Sequence, residues 1–364
     1  MDIVLRPKSE LVDFREHPGQ QELVTVKPDA SRKRGLWIEP TRFIELIDGP
    51  ALARWACATA VVLRARLCPS LPSPRHPGGH PQVYSDASIL LTLLVMRAWR
   101  LSLEKIDNWL SRNVALALAL GFAPEGPTIS YSQLSRRSRQ LGLLPYFLFF
   151  LGLGFSLLRT GALTGTQVIL DASLLKAWYH RDPDANLAGR RNGPATYGFK
   201  IHALVERWSH LPLLFVITPA SIHEVVIAPF LLLAAIAIYG LRIAVLYADA
   251  GYYTYGFVVF VRKLGAIPII DYNLRRLGKH FLATLFFLDQ WRRLRAPRTV
   301  AERCFAFLKR YYGLKYFQVK GLSAVWRYAL LVNSAMLAVG LIAYRLNRPD
   351  LMTCRAQVLA YVTN

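Results

Sequence analysis

The sequence predicts an α/β protein, a mixed sheet with flanking helices, preceded by an all-α N-terminal region. Three observations carry that prediction. From Thr166 onward, short apolar runs bounded by turn residues alternate with runs of helical length. Two of them, residues 199–206 and 211–218, flank Arg207-Trp-Ser-His210 and read as an antiparallel hairpin. Upstream, short capped helices dominate instead.

Taken in order, residues 1–35 are polar and rich in Pro, Lys and Arg, and read as a loosely ordered basic arm. Residues 36–68 carry apolar positions at helical spacing, among them Trp37, Phe43, Ile44, Leu52, Trp55, Val61 and Val62. A Pro/Gly/His linker over 69–81 marks a boundary. In the next region, 82–160, Ser85 or Asp86 caps a helix to Trp99, and Ser102 caps another to Arg112. Residues 121–127 break the chain before a helix over 130–140 that gathers Arg136, Arg137 and Arg139. That pattern suits either a DNA-binding helical region or a small bundle with a wet basic face.

The region 161–345 reads as strand 168–170 ending at Asp171, the hairpin, helix 225–239, strand 243–247 followed by Asp249, helix 255–264 and strand 267–270. A basic, aromatic insertion over 278–295 precedes a helix from Arg298 to Lys309, and 346–364 form a C-terminal tail. Strands joined in this order give a mixed sheet with helices on its faces.

Composition restricts the partners. The 45 Lys and Arg against 23 Asp and Glu give a formal net charge of +22, a field that favours a polyanion, nucleic acid or an anionic membrane surface. Cys57, Cys68, Cys304 and Cys354 are scattered, which excludes a zinc template and a disulfide framework and favours a reducing interior. The start, MDIVLRPKSE, lacks the layout of a signal peptide. Residues 141–158, 225–241 and 328–344 are free of charge and approach the length needed to span a bilayer, so a polytopic membrane protein competes. Pro145, Gly152, Gly154, Pro229 and Gly240 interrupt these runs, and basic residues flank both sides, which favours buried core helices.

In an acid-poor chain, carboxylates in apolar contexts need a reason. Asp171 and Asp249 each follow an apolar strand, and sites in open α/β sheets gather at carboxyl strand ends. At about 100° per residue, Arg298, Glu302 and Lys309 share one helix face, with Val300, Cys304, Phe307, Leu308 and Tyr311 opposite. Singly, each acid fits a plainer role: Asp171 and Asp249 as turn formers, Glu302 as a solvated partner of its helix neighbours. Jointly, three acids from separate elements form an oxygen site for hard divalent cations. Mg²⁺ suits it, with Mn²⁺ as a substitute, and two ions would serve an in-line phosphodiester displacement.

The ordered set Asp171, Asp249, Glu302 resembles the DDE transposases of bacterial insertion sequences. Asp249-Ala-Gly251-Tyr252 is similar to that family's Asp-x-Gly-Tyr segment. Arg298, Glu302 and Lys309 match the Arg, Glu and Lys of its Tyr-Arg-Glu-Lys helix at the family's spacing. Tyr197-Gly-Phe-Lys200-Ile-His202, Leu211-Pro-Leu and Ile222-His223-Glu224 resemble the hairpin after its first Asp. Tyr84-Ser85-Asp86, Leu101-Ser-Leu103 and Tyr131-Ser-Gln-Leu-Ser-Arg136-Arg137 are similar to the helical segment before the catalytic domain. In one departure, Arg295 stands where the family helix has Tyr, three residues before the Arg.

The resemblance implies an RNase H-like catalytic domain over 161–345, without a large inserted β domain between Asp249 and Glu302. It implies an enzyme that binds terminal inverted repeats, cuts DNA with Mg²⁺ and transfers a 3′-OH into target DNA. Asp171, Asp249 and Glu302 would be catalytic and hold metal. Arg298, Lys309, Lys200, Arg136 and Arg137 would contact double-stranded DNA, while His202 reads first as a structural hairpin histidine and His223 as a weaker supporting residue. Joining two ends implies at least a homodimer. The expected setting is the cytoplasm of a bacterium or archaeon, at the nucleoid and away from membranes. A catalytically inactive DNA-binding remnant is the alternative.

Overall fold

The computed structural model describes residues 84–122, 129–190, 193–271 and 289–363. The basic arm and helical segment at 1–68, the linker at 69–81 and most of the 278–295 insertion therefore lie outside the described residues. The chain divides into two compact units: Met1–Leu153 with Cys354–Asn364, and Gly154–Thr353.

In the first unit, α1 (Asp86–Trp99) starts where the Ser85 hydroxyl accepts the Ser88 N–H, and Asp86 complements the helix dipole in the first turn. It buries Ile89, Leu90, Leu94 and Val95. Ser102 makes no side-chain cap, so the predicted helix begins as a 3₁₀ turn, Leu103–Lys105, and only then becomes α2 (Ile106–Ser111). Val114–Ala119 forms α3. Ser130 and Gln133 form a reciprocal capping box that starts α4 (Tyr131–Gln140). Arg137 on α4 forms an ion pair with Asp86 on α1, both largely hidden from solvent, and the Tyr146 hydroxyl donates to the Ser138 carbonyl at 2.7 Å. Tyr146 belongs to α5 (Leu144–Arg159).

The second unit is built on one six-stranded mixed sheet. Its strands are β1 (Gln167–Lys176), β2 (Asn186–Arg190), β3 (Gly193–Glu206), β4 (Pro212–Pro219), β5 (Val245–Ala248) and β6 (Ile267–Ile270). The path runs β2-β3-β1-β5-β6, with β4 paired to the later half of β3. β3 runs antiparallel to both β1 and β4, while β1, β5 and β6 are parallel. This is the RNase H-like order.

Two sequence expectations change here. β1 does not stop at Leu170: its antiparallel pairing with β3 continues to Lys176↔Gly198, so Asp171 sits within the strand, at the point where parallel pairing with β5 ends. β2 was not foreseen, since its five residues, Asn-Leu-Ala-Gly-Arg, carry no alternating apolar pattern. Gly198 is required where β3 is crowded: a Cβ there would stand 2.1 Å from the Leu175 carbonyl oxygen.

The helices divide between the two faces. α6 (Glu224–Tyr239) packs on β3 and β4, and its Glu224 pairs with Lys200 of β3. After α7 (Tyr255–Lys263) and β6 come α8 (Asp289–Arg295), a 3₁₀ turn Ala296–Arg298, and α9 (Thr299–Tyr311). α9 lies over β1 and bonds Ser173, whose strand parity is opposite to that of the Leu174–Lys200 pair. α6 and α9 therefore cover opposite faces. α10 (Leu322–Arg345) joins α9's face through Phe215 of β4 stacked on Trp326. α10 is long and apolar enough to cross a membrane, yet 83% of its most apolar stretch is buried inside this fold. α11 (Arg355–Thr363) closes the chain in the first unit, where the Arg355 guanidinium donates to the Ala98 carbonyl.

Candidate active site

The sheet register builds the site. Leu170 of β1 lies beside Ala248 of β5, so Asp171 and Asp249, one residue further along each strand, stand next to each other. Asp171 Oδ1 accepts the Ala172 N–H at 2.8 Å. Asp249 caps the 3₁₀ turn Ala250–Tyr252, its Oδ1 accepting the Gly251 N–H at 2.9 Å. Burial pushes the Asp171 carboxyl up to about 7, the Ala172 N–H opposes that rise, and the neighbouring Asp249 adds to it. Burial likewise raises Asp249, against the pull of the Gly251 N–H and the Arg298 guanidinium. Two half-buried carboxylates thus stand side by side, with the charge of Arg298 acting on both.

Glu302 reaches this corner from the first turn of α9. Its side chain is 56% exposed and turned to Arg298, whose Nη1 lies 3.1 Å from Oε1. Both residues act electrostatically on Asp171. Among the described residues, no three His, Cys, Asp or Glu side chains stand close enough to hold one metal ion. The structure thus joins Asp171 to Asp249 and leaves Glu302 nearby but swung toward its own helix. Lys309, two turns further along α9, reaches β1: its Nζ donates to Ser173 Oγ at 2.7 Å and to the Leu174 carbonyl at 2.9 Å.

The remaining predicted residues are spread more widely. Lys200 is buried on the other face, donating to the Ile222 carbonyl at 2.8 Å and to Glu224 at 2.7 Å. Burial tends to raise Glu224, but the bond from Lys200, a backbone hydrogen bond and the charges of Lys200 and His223 together hold the carboxyl low. His202 is buried against Thr218 at 2.9 Å, and burial with Lys200 beside it lowers its ring to about 4, so it is neutral at physiological pH. His223 is exposed, 3.4 Å from Glu224. Arg136 is exposed on α4, whereas Arg137 is occupied by Asp86.

One acid escaped the sequence reading. Ile270 of β6 lies beside Ala248, and Asp271 follows it, its N–H bonded to the Ala248 carbonyl at 3.2 Å. Asp271 therefore continues the row begun by Asp171 and Asp249. It faces Arg295 at 3.4 Å and Arg298 at 3.7 Å. The signal was present, since an apolar run ending in Asp is the pattern that singled out Asp249.

A mixed sheet of this order, with Asp171 and Asp249 one residue beyond paired positions of its central parallel strands, is an RNase H-like fold. Residues 163–338 match the family model described as "Transposase DDE domain", a span that holds Asp171, Asp249, Glu302 and Lys309. This part of the chain, just under half of its length, is therefore similar to DDE transposase domains. Among solved structures, the chain is similar to a piggyBac transposase synaptic complex with hairpin DNA, at 9% identity and a TM-score of 0.41, covering 86% of this chain and 77% of that one. It is also similar to a Mos1 transposase paired-end complex with left transposon end, at 10% identity and a TM-score of 0.21, covering 83% of this chain and 96% of that one. No curated protein matches the chain.

Proposed function

We propose that the protein binds the terminal inverted repeats of an insertion sequence, cleaves one DNA strand there, and joins the freed 3′-OH to target DNA. The observation that carries this reading is the adjacency of Asp171 and Asp249, each one residue beyond the register pair Leu170 and Ala248, in a site buried enough that Asp171 is pushed up to about 7. Carboxylates pushed up by burial and by neighbouring acids gain most from a hard dication, so the donor set fits Mg²⁺, or Mn²⁺ in its place. Asp171 and Asp249 would hold it, and Glu302 would join them once it leaves Arg298. When bound, a pair of such ions supplies the charge neutralisation that an in-line displacement at phosphorus requires.

The chain's own groups do the rest. Arg298 and Lys309 lie on either side of Glu302 along α9 and offer positive charge to the phosphates flanking the scissile bond. The bonds to Ser173 and Leu174 hold Lys309 beside β1, two residues beyond Asp171, so its ammonium is preoriented. Arg136 presents charge from the helical unit. Arg137 and Lys200 were expected beside it as DNA contacts, but their partners Asp86 and Glu224 point to structural work. Two copies acting together would bring two ends to one target, and the cytoplasm at the nucleoid is the setting for that chemistry.

A second reading, a DNA-binding remnant without catalysis, is favoured only by Arg295 at the expected Tyr position and by Glu302 turned to Arg298. Incubation with a duplex of the element's own terminal repeat separates the two. Active transposase nicks the end in Mg²⁺, and Asp171→Ala or Glu302→Ala abolishes strand transfer while end binding survives. Wild-type strand transfer by either variant would refute the site.

A further inference from the structure

Arg295 and Asp271 together account for a feature that the transposase reading leaves unexplained. Asp271 is fixed by the backbone: it extends the β5–β6 ladder through its N–H bond to Ala248, one strand over from Asp249. Its side chain is largely hidden, and its two oxygens face two cations, Oδ1 toward Arg295 and Oδ2 toward Arg298. Arg295 ends α8, Arg298 ends the 3₁₀ turn that follows, and Glu302 lies in the first turn of α9. Among the described residues, Asp271 is thus the carboxylate that ties this whole bend to the sheet edge. The same Arg298 that it grips also grips Glu302 at 3.1 Å.

We infer that Asp271 is a positioning residue of the catalytic centre, clamping Arg295 and Arg298 so that the start of α9 delivers Glu302 to the Asp171–Asp249 pair. The inference rests on the transposase reading above. Asp271 acts through geometry alone: a carboxylate anchored in β6 fixes two guanidinium groups, and these fix the turn from which Glu302 swings. Arg295, which stands where the resembled family carries Tyr, then has a function of its own as one jaw of the clamp. The clamp also keeps Arg298 available, since a guanidinium shared by two carboxylates is held in place while a third anion approaches.

The test uses the full-length protein and two probes, Mn²⁺ alone and a terminal-repeat duplex in Mg²⁺. Asp271→Asn and Arg295→Ala should each raise the Mg²⁺ concentration for half-maximal cleavage about tenfold, as expected when a supporting partner of a metal ligand is lost. Each should also shrink the rise in melting temperature that Mn²⁺ produces without DNA, while leaving the metal-free melting temperature and end binding near wild type. The double variant should be no worse than the weaker single one, because both remove the same clamp. Asp271→Glu should recover part of the Mg²⁺ dependence.

Unchanged Mg²⁺ dependence in Asp271→Asn overturns the inference. So does complete loss of the Mn²⁺ response in Asp271→Asn with a normal response in Arg295→Ala, which would make Asp271 a ligand in its own right. An Asp171→Ala control that keeps the full Mn²⁺ response overturns the transposase metal site itself, and the clamp falls with it.

Discussion

Asp171 and Asp249 stand one residue beyond the paired positions Leu170 and Ala248, so backbone hydrogen bonding alone sets the two carboxylates side by side. No long side chain or loop has to find its place. The cost lies first in burial, which raises both carboxyls, and the charge of Asp249 raises Asp171 further.

That cost predicts a stability effect with a definite sign. Asp171 is raised in the fold to about 7, above its ordinary value near 4, so its contribution to stability is full below the unfolded value and is lost as pH rises through the folded one. In metal-free buffer, Asp171→Asn should therefore melt higher than wild type at pH 8 and close to wild type at pH 4. Thermal unfolding at the two pH values checks this, and equal melting temperatures at pH 8 would contradict it.

Lys309 should matter to rate more than to folding. Lys309→Met keeps the aliphatic stem but removes the ammonium that bonds Ser173 and Leu174. Cleavage at saturating Mg²⁺ should fall at least about tenfold, the scale of losing one positioning contact, while end binding stays within a few-fold. A Lys309→Arg variant should recover part of the rate, read in single-turnover cleavage.

Gly198 is a purely structural test of the register. A methyl group there would meet the Leu175 carbonyl at 2.1 Å and the Ala177 nitrogen at 2.7 Å, both backbone atoms that cannot turn aside. Gly198→Ala should destabilise by about 2–3 kcal/mol or more, measured by urea unfolding. A neutral substitution would show that β1 and β3 are paired differently.

The helical unit carries its own check. Arg137 and Asp86 are both largely shielded, and burial raises Asp86 despite the Arg beside it. Asp86→Ala leaves a guanidinium without its carboxylate and should cost about 3 kcal/mol. Arg137→Ala should cost a similar amount, and the double variant should cost less than the two losses added together, in the same urea assay.

The sequence made some of this legible and hid the rest for physical reasons. The strand at 267–270 and the helix over 224–239 were visible because apolar period and flanking turn residues agree there. The hairpin was visible because its polar turn separates two apolar runs. The length of β1 was not, since residues 171–176 owe their extended form to pairing with β3, a contact that local pattern does not encode. On α9, Val300, Cys304 and Leu308 are buried as their spacing predicts, but Phe307 and Tyr311 are only half-buried while Ala301 and Phe305 are buried, because the buried arc is turned around the helix toward Ala301 and Phe305. At the site, spacing found Asp171, Asp249 and Glu302, but the commitments of Lys200 to Glu224 and of Arg137 to Asp86 are long-range facts that only the fold supplies. Asp271 followed the same strand-end pattern as Asp249, and its meaning emerged only when β6 was seen to lie beside β5.

The most direct measurement is strand cleavage of a terminal-repeat duplex by wild type, Asp171→Ala and Asp249→Ala, with Mg²⁺ and with EDTA. The paired-carboxylate account predicts Mg²⁺-dependent nicking at the element end by wild type, none in EDTA, and none by either variant although both still bind the duplex. Cleavage by wild type in EDTA, or by either variant at the wild-type rate, would contradict it.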